Sequence, residues 1–453
     1  VFIIRTNSTC SNEKEYIFEQ ILGLFLGVPF LVRYTEDSDG ISIEKEGEKG
    51  TIEIEDVFFD QFGKGISWLS EESLPKLPLQ INTEDGLPII YGNGKIEKQR
   101  DQVKIGLDIF GSCFFMLSRY EEVISTKRDA HGRFPANESL AFKEGFLTRP
   151  IVDDYVNLLW NQIQHLWPGA TKKEHFFRAN ISCDVDNLLD KGVRFPGIIK
   201  RLAGDILHRK SIKQFWTSIY QFYKVSILQN LKHDPFNTFD FMMDVCESNG
   251  LKAAFYFIPK NNKLPIDGDY DIESEDVLVL MKRIISRGHE IGYHASYGSY
   301  MDVATTKAEV ELLRQVYQKA GGDPKDIKGG RQHYLRWEPG VTELNWEAAG
   351  LKYDATLGYA EHVGFRCGTA RDFKLYNVPN RKELALSERP LILMEGSLLL
   401  KKYQNLNYKE AETVANNLKE KCLRQSSNFN VLWHNSFFRE PELFSLFKRI
   451  CKI

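Results

Sequence analysis

The sequence predicts an α/β protein: a parallel sheet, open or closed into a barrel, over the C-terminal two thirds, preceded by a separate α+β domain. Three observations lead there. Short apolar runs alternate with amphipathic stretches over about 270 residues, the pattern of strand–helix–strand units. The preceding residues have a different texture, with period-two segments of the kind half-buried strands show. The length, 453 residues, exceeds one ordinary domain.

In chain order, Val1–Arg5 is a strand, followed by an amphipathic helix that turns Tyr16, Ile17, Ile21 and Leu22 away from its charged face. The most apolar stretch, Ile21–Val32, is too short to span a bilayer and contains Pro29, so it is expected to be a buried helix-to-strand transition. The segments starting at Ile41 and Thr51 alternate as strands do, and Leu107–Val123 is an apolar helix. A loop over Asp129–Pro135 precedes a helix that starts behind Pro150, where proline suits the first turn. A seam near 167–174 separates an α+β domain, 1–165, from the parallel α/β region, 175–453.

After the seam, Phe176–Cys183 is a short buried strand ending at Asp184-Val185-Asp186. Residues 190–232 are basic, aromatic and helical, an insertion. Helices are expected at 239–248, 275–287, 306–320, 342–349 and 409–425. Strands are expected at 252–258, 289–294, 327–332 and 353–356, within PLILMEG, and within NFNVLWHN.

Composition narrows the function classes. Hydrophobic residues at 42% and charged residues at 27% are globular values. The 62 acidic and 59 basic residues are interspersed and sum to a net charge of −3. That balance gives no electrostatic case for nucleic acid or an anionic membrane; short basic clusters such as His208–Lys210 are expected to be solvated helix faces. The seven cysteines are widely spaced, without a Cys-x-x-Cys pair, which argues against a disulfide framework and a structural zinc cage. A reducing, cytoplasmic location is the expectation; no signal peptide is visible at the chain start, which lacks an initiator Met.

Polar residues recur where strands end: Asp184 and Asp186, His294, Arg331 and His333, Asp354, and His434. In parallel α/β folds the carboxyl ends of strands converge on one crevice. Alternation points Asp184 and Asp186 to one side, where two carboxylates call for a cation or a shared proton. An Asx-type turn capping a helix is the alternative. His294 is either a structural histidine or, paired with an aspartate, a ligand of a divalent cation. Arg331, behind two glycines that permit close backbone approach, suits holding a carboxylate ionised. Asp354 either orients a neighbour or caps a turn. His434 either packs beside Trp433 or serves as a general acid.

In this order the residues resemble the NodB-type polysaccharide deacetylases, carbohydrate esterase family 4, over roughly 175–453. Ser182-Cys183-Asp184-Val185-Asp186 looks like a spaced version of the family's Thr-Phe-Asp-Asp motif, which implies Asp184 as catalytic base and Asp186 as metal ligand. His294-Ala295-Ser296-Tyr297-Gly298 resembles the His-Ser/Thr-x-x-His motif, with Gly298 where the second histidine stands; Ser299, Ser296, His333 or water is left to complete the shell. Arg331-Gln332-His333-Tyr334 resembles the arginine motif, Asp354 the tuning aspartate that follows, and Leu432-Trp433-His434 the final motif whose histidine protonates the leaving amine. The stretch DATLGYAEHVGFRCGT and the upstream DPFNTFDFMMD resemble a subgroup associated with bacterial surface-polysaccharide loci, in which an uncharacterised domain precedes the barrel.

The resemblance implies a variant, seven-stranded β/α barrel, a divalent metal ion with zinc first in expectation, and a carbohydrate partner. The implied activity is metal-dependent hydrolysis of N-acetyl groups, with Asp184, Arg331, Asp354 and His434 catalytic. Two rival readings stand beside it: a hydrolase of another non-peptide C–N bond, and a degenerate barrel that binds glycan without catalysis. Oligomeric state is not legible in the sequence.

Overall fold

The fold is mixed α/β. The computed structural model describes residues 1–36, 39–82, 86–260, 266–268 and 270–452. Packing groups them into two compact units, each discontinuous in sequence: Val1–Arg178 with Tyr334–Leu393 and Asn417–Asn430, and Ala179–His333 with Met394–Asn416 and Val431–Ile453.

The first unit contains a six-stranded mixed sheet in the order Phe30–Tyr34, Phe2–Thr6, Ile41–Lys45, Thr51–Ile54, Gln102–Leu107, Gly92–Lys98. The alternating residues of Phe2–Thr6 bury Phe2, Ile4 and Thr6, the period-two pattern of a strand with one face in the core. The apolar helix expected over Leu107–Val123 is two helices, Ile109–Leu117 and Tyr120–Ile124. Arg119 breaks it with φ 55°, and its buried guanidinium is held by Glu121 and Glu122. Asp108 starts the first of these helices by accepting from the Gly111 amide at 2.7 Å, while its other oxygen holds the Val57 and Phe58 amides.

Residues 334–393 pack with this unit. Buried Glu13 accepts from the Tyr376 hydroxyl at 2.7 Å and from Arg381 Nε and Nη2 at 2.8 and 2.7 Å. Phe373–Asn377 and Lys382–Glu388 form an antiparallel pair, and Tyr353–Asp354 lies parallel to the latter.

The second unit is built on parallel strands. Gly329–Gln332, Glu290–Ala295, Ala253–Phe257 and Arg178–Val185 lie side by side in that order, each neighbouring pair parallel. Helices Phe239–Ser248, Glu275–Ser286 and Val303–Lys319 occupy the three connections. Parallel pairing requires such crossovers. Ala253–Phe257 is buried at every residue, as a strand covered on both faces must be. Asp302 starts Val303–Lys319 by accepting from the Ala304 and Thr305 amides. The chain following Val431 and Leu432 runs beside Arg178–Val185, with Trp433 donating its amide to Ser182 O at 2.9 Å. All seven cysteines are buried, and no disulfide joins any of them among the described residues. Among the described residues no helix is long and apolar enough to cross a membrane.

Candidate active site

The strand register sets the site. Tyr256 pairs with Asp184 on one side and Gly292 on the other, and His294, two residues past Gly292, pairs with Arg331. Gly330 makes the close approach possible: a Cβ there would sit 1.7 Å from the Tyr293 carbonyl oxygen.

Asp184, 2% exposed, accepts from Arg331 Nη1 at 2.7 Å. The guanidinium also lies over the Tyr256 ring, 5.2 Å from its centroid. Asp184 Oδ2 lies 3.8 Å from His294 Nε2.

His294 Nδ1 lies 2.8 Å from the Arg331 carbonyl oxygen. A carbonyl only accepts, so Nδ1 donates to it. Nε2 donates to the Asp186 carboxylate at Oδ1, 3.2 Å away, and would turn a lone pair there to a bound cation instead. On the same oxygen, at 3.5 Å, converges His333 Nε2, whose Nδ1 faces the buried carboxylate of Asp267 at 3.3 Å. Asp186, His294 and His333 thus offer one carboxylate oxygen and two imidazole nitrogens, all within 4.8 Å of one another. Donors at bonds of about 2.0–2.2 Å around a tetrahedral ion stand about 3.3–3.6 Å apart, so the group fits a divalent cation. Each histidine also has the supporting acceptor that ligating histidines use, a carbonyl for one and a carboxylate for the other.

Beyond Asp186 lies His434. Its Nε2 is 3.6 Å from Asp186 Oδ2, and its Nδ1 donates to Glu395 Oε1 at 2.5 Å. Glu395 is fully buried and also accepts the His434 backbone amide at 3.1 Å. Burial pulls the imidazole down, but Glu395 first and Asp186 second push it up to about 10. Burial likewise works against ionised Asp186, yet His333, His434 and His294 hold its carboxyl well below the usual range.

The second unit therefore gathers Asp184, Asp186, His294, Arg331, His333 and His434. The two serines considered as ligands are otherwise engaged: Ser296 Oγ donates to Glu309 at 2.6 Å, and Ser299 Oγ to the Ser296 carbonyl at 2.8 Å. Asp354 belongs to the first unit, where its carboxylate accepts the Thr356 amide at 2.9 Å and hydroxyl at 2.6 Å, capping its own turn. Sequence reasoning missed Glu395 and Asp267. Glu395 follows the two-residue strand Leu393–Met394, so the rule that found the other strand-end residues could have found it. Asp267 sits in irregular chain and gave no signal.

This is the geometry of a carboxylate–bis-imidazole centre flanked by a carboxylate on one side and an imidazole on the other. Residues 2–168 match a family described as a family of unknown function (DUF7033). No curated protein matches the chain in sequence. Among solved structures, a Mycobacterium smegmatis protein described as a polysaccharide deacetylase is similar at 12% identity, over 63% of this chain and 87% of that one, with a TM-score of 0.38. A family 4 carbohydrate esterase from Streptomyces lividans, in complex with acetate, is similar at 11% identity, over 48% and 80%, with a TM-score of 0.29. An allantoinase is similar at 10% identity, over 63% and 84%, with a TM-score of 0.37.

Proposed function

We propose that the chain is a metal-dependent hydrolase that removes N-acetyl groups from a carbohydrate or polysaccharide precursor, on a seven-stranded variant β/α barrel. The observation that carries this reading is the placing of Asp184, clamped by Arg331, and His434, charged by Glu395, around one carboxylate–bis-imidazole group.

Asp186, His294 and His333 would hold the cation. When bound, it polarises the amide carbonyl and makes water more acidic. Asp184 is the general base: it takes a proton from the attacking water, and Arg331 holds it in position through the 2.7 Å contact. His434 is the general acid. As the C–N bond breaks, its imidazolium gives a proton to the departing amine nitrogen, leaving acetate and a free amino sugar. Glu395 holds His434 both charged and oriented.

Product analysis tests the substrate class. Acetate release from N-acetylated oligosaccharides is compared with hydrolysis of cyclic and non-sugar amides, for the parent and Asp184→Asn. The reading expects acetate from the sugars with the parent and little with the variant. Turnover confined to the other amides would overturn the sugar assignment.

A further inference from the structure

Residues 190–232, the helical insertion, carry nine Lys and Arg against two acids, Asp190 and Asp205, a local charge of +7 in a chain whose net charge is −3. The overall balance hides this concentration; the basic residues Lys200 and His208–Lys210 are exposed, as expected of solvated faces. Its two helices, Gly197–Leu207 and Ile212–Phe222, each have an inward face. Ile198 is buried on the first, and Ser218 on the second donates to buried Asp205 at 2.7 Å.

The outward faces are apolar as well. On the first, Ile199 and Ile206 follow Phe195 at helical spacing, and Phe195 is 75% exposed. On the second, Ile212, Trp216 and Tyr220 stand four residues apart, with Ile212 at 78% and Trp216 at 62% exposure. Ile227 and Leu228 extend this exposed surface. Such rows of large apolar side chains are not left to water without a partner.

We infer that this helical insertion docks on an anionic phospholipid bilayer, with its exposed apolar rows entering the boundary between headgroups and acyl chains. Three features select that occupant. Lys200 and Lys213, which directly follow Ile199 and Ile212, and Lys210 between the two helices are exposed and match anionic headgroups. Trp216 and Tyr220 are the residue types that settle at a membrane–water boundary. Exposed Ile199, Ile206, Ile212 and Ile227 call for hydrocarbon, which a nucleic-acid backbone does not offer. A symmetric contact with a second copy would bring two +7 segments together.

The insertion is rooted beside the candidate site. Asn435, next to His434, donates to the carbonyls of Asn187 and Phe236 at 2.9 and 2.8 Å, one before the insertion and one after it. Docking thus holds this end of the parallel sheet near the bilayer, and it stands whether or not the site hydrolyses amides.

The test is flotation of the full chain with phosphatidylcholine vesicles, alone or containing phosphatidylglycerol. The protein should float with the anionic vesicles, less so as salt rises. Lys200→Gln, Lys210→Gln and Lys213→Gln together should weaken binding about a hundredfold, at about fivefold per basic residue. Ile212→Ser with Trp216→Ser should weaken it by about tenfold or more, with unchanged thermal unfolding because both side chains are exposed. No flotation with anionic vesicles, or equal flotation by the parent and the lysine variant, would overturn the inference. So would a dimer seen by light scattering that Trp216→Ser dissolves while the parent ignores vesicles.

Discussion

Replacing Glu395 with Gln removes the charge closest to His434 while keeping the shape of the side chain. Glu395 Oε1 is 2.5 Å from Nδ1 and Asp186 Oδ2 is 3.6 Å from Nε2. Against burial, these carboxylates lift the imidazole from its ordinary 6.5 to about 10, with Glu395 the leading upward cause. A cation on Asp186 would offset that carboxylate's field and leave Glu395 as the main support of the imidazolium. Glu395→Gln should therefore lower the His434 midpoint by about 1–3 pH units, the scale for an opposite charge this close. The sign follows from the direction of the perturbation. A raised imidazole is protonated at neutral pH and loses its proton as pH rises, so the alkaline limb of turnover should move to lower pH. The pair's contribution to stability should be complete below about 6.5 and lost as pH rises through about 10. The assay is an NMR titration of labelled histidine in the full chain, with the His434 resonance assigned by its loss in His434→Ala. A parent midpoint near 6.5, or the same midpoint in parent and Glu395→Gln, would refute the reasoning.

Asp184→Asn and His434→Ala should each lower turnover by about 10²–10⁴-fold, the scale of positioned proton transfer, with unchanged circular dichroism; full turnover in both would remove their assigned roles. Asp267→Asn should weaken metal binding by about 10–100-fold through His333, read by competition with a chromophoric chelator, and unchanged affinity would mean that His333 does not bind the ion. Glu13→Ala leaves Arg381 and the Tyr376 hydroxyl without their carboxylate. It should cost about 2–3 kcal/mol in thermal unfolding, less than the about 3–5 kcal/mol of a fully buried pair because Arg381 is partly exposed; no loss would show that this cluster does not hold 334–393 to residues 1–178.

Strand–helix alternation made the parallel strands and their crossover helices legible, because buried strands such as Ala253–Phe257 are short apolar runs between longer amphipathic ones. The same pattern exposed Asp184, Asp186, His294, Arg331 and His434, each at or just after a strand end. The third imidazole was legible only as one of several options. His333 stands out once Asp267 is seen behind its ring and the hydroxyls of Ser296 and Ser299 are seen bonded elsewhere. The break at Arg119 was hidden because Ser118–Val123 contains no glycine or proline to stop a helix; the cause is the set of acceptors that its guanidinium meets in the fold. Likewise, the packing of 334–393 with the first residues depends on pairs such as Glu13 and Arg381, which no local pattern links. In the insertion each helix carries a one-sided apolar stripe, the same pattern that a core-facing helix shows, so its outer rows were not distinguished from core.

Restoring acetate release with metal tests the hydrolase reading most directly. The full chain is stripped with chelator, reloaded stepwise with zinc, and assayed on N-acetylated oligosaccharide beside Asp186→Asn treated in the same way. The stripped protein should be inactive, activity should return and level off at one ion per chain, and the variant should recover little. A stripped protein as active as the reloaded one, or a reloaded parent inert on every N-acetylated sugar, would contradict the assignment of Asp186, His294 and His333 as a catalytic metal centre.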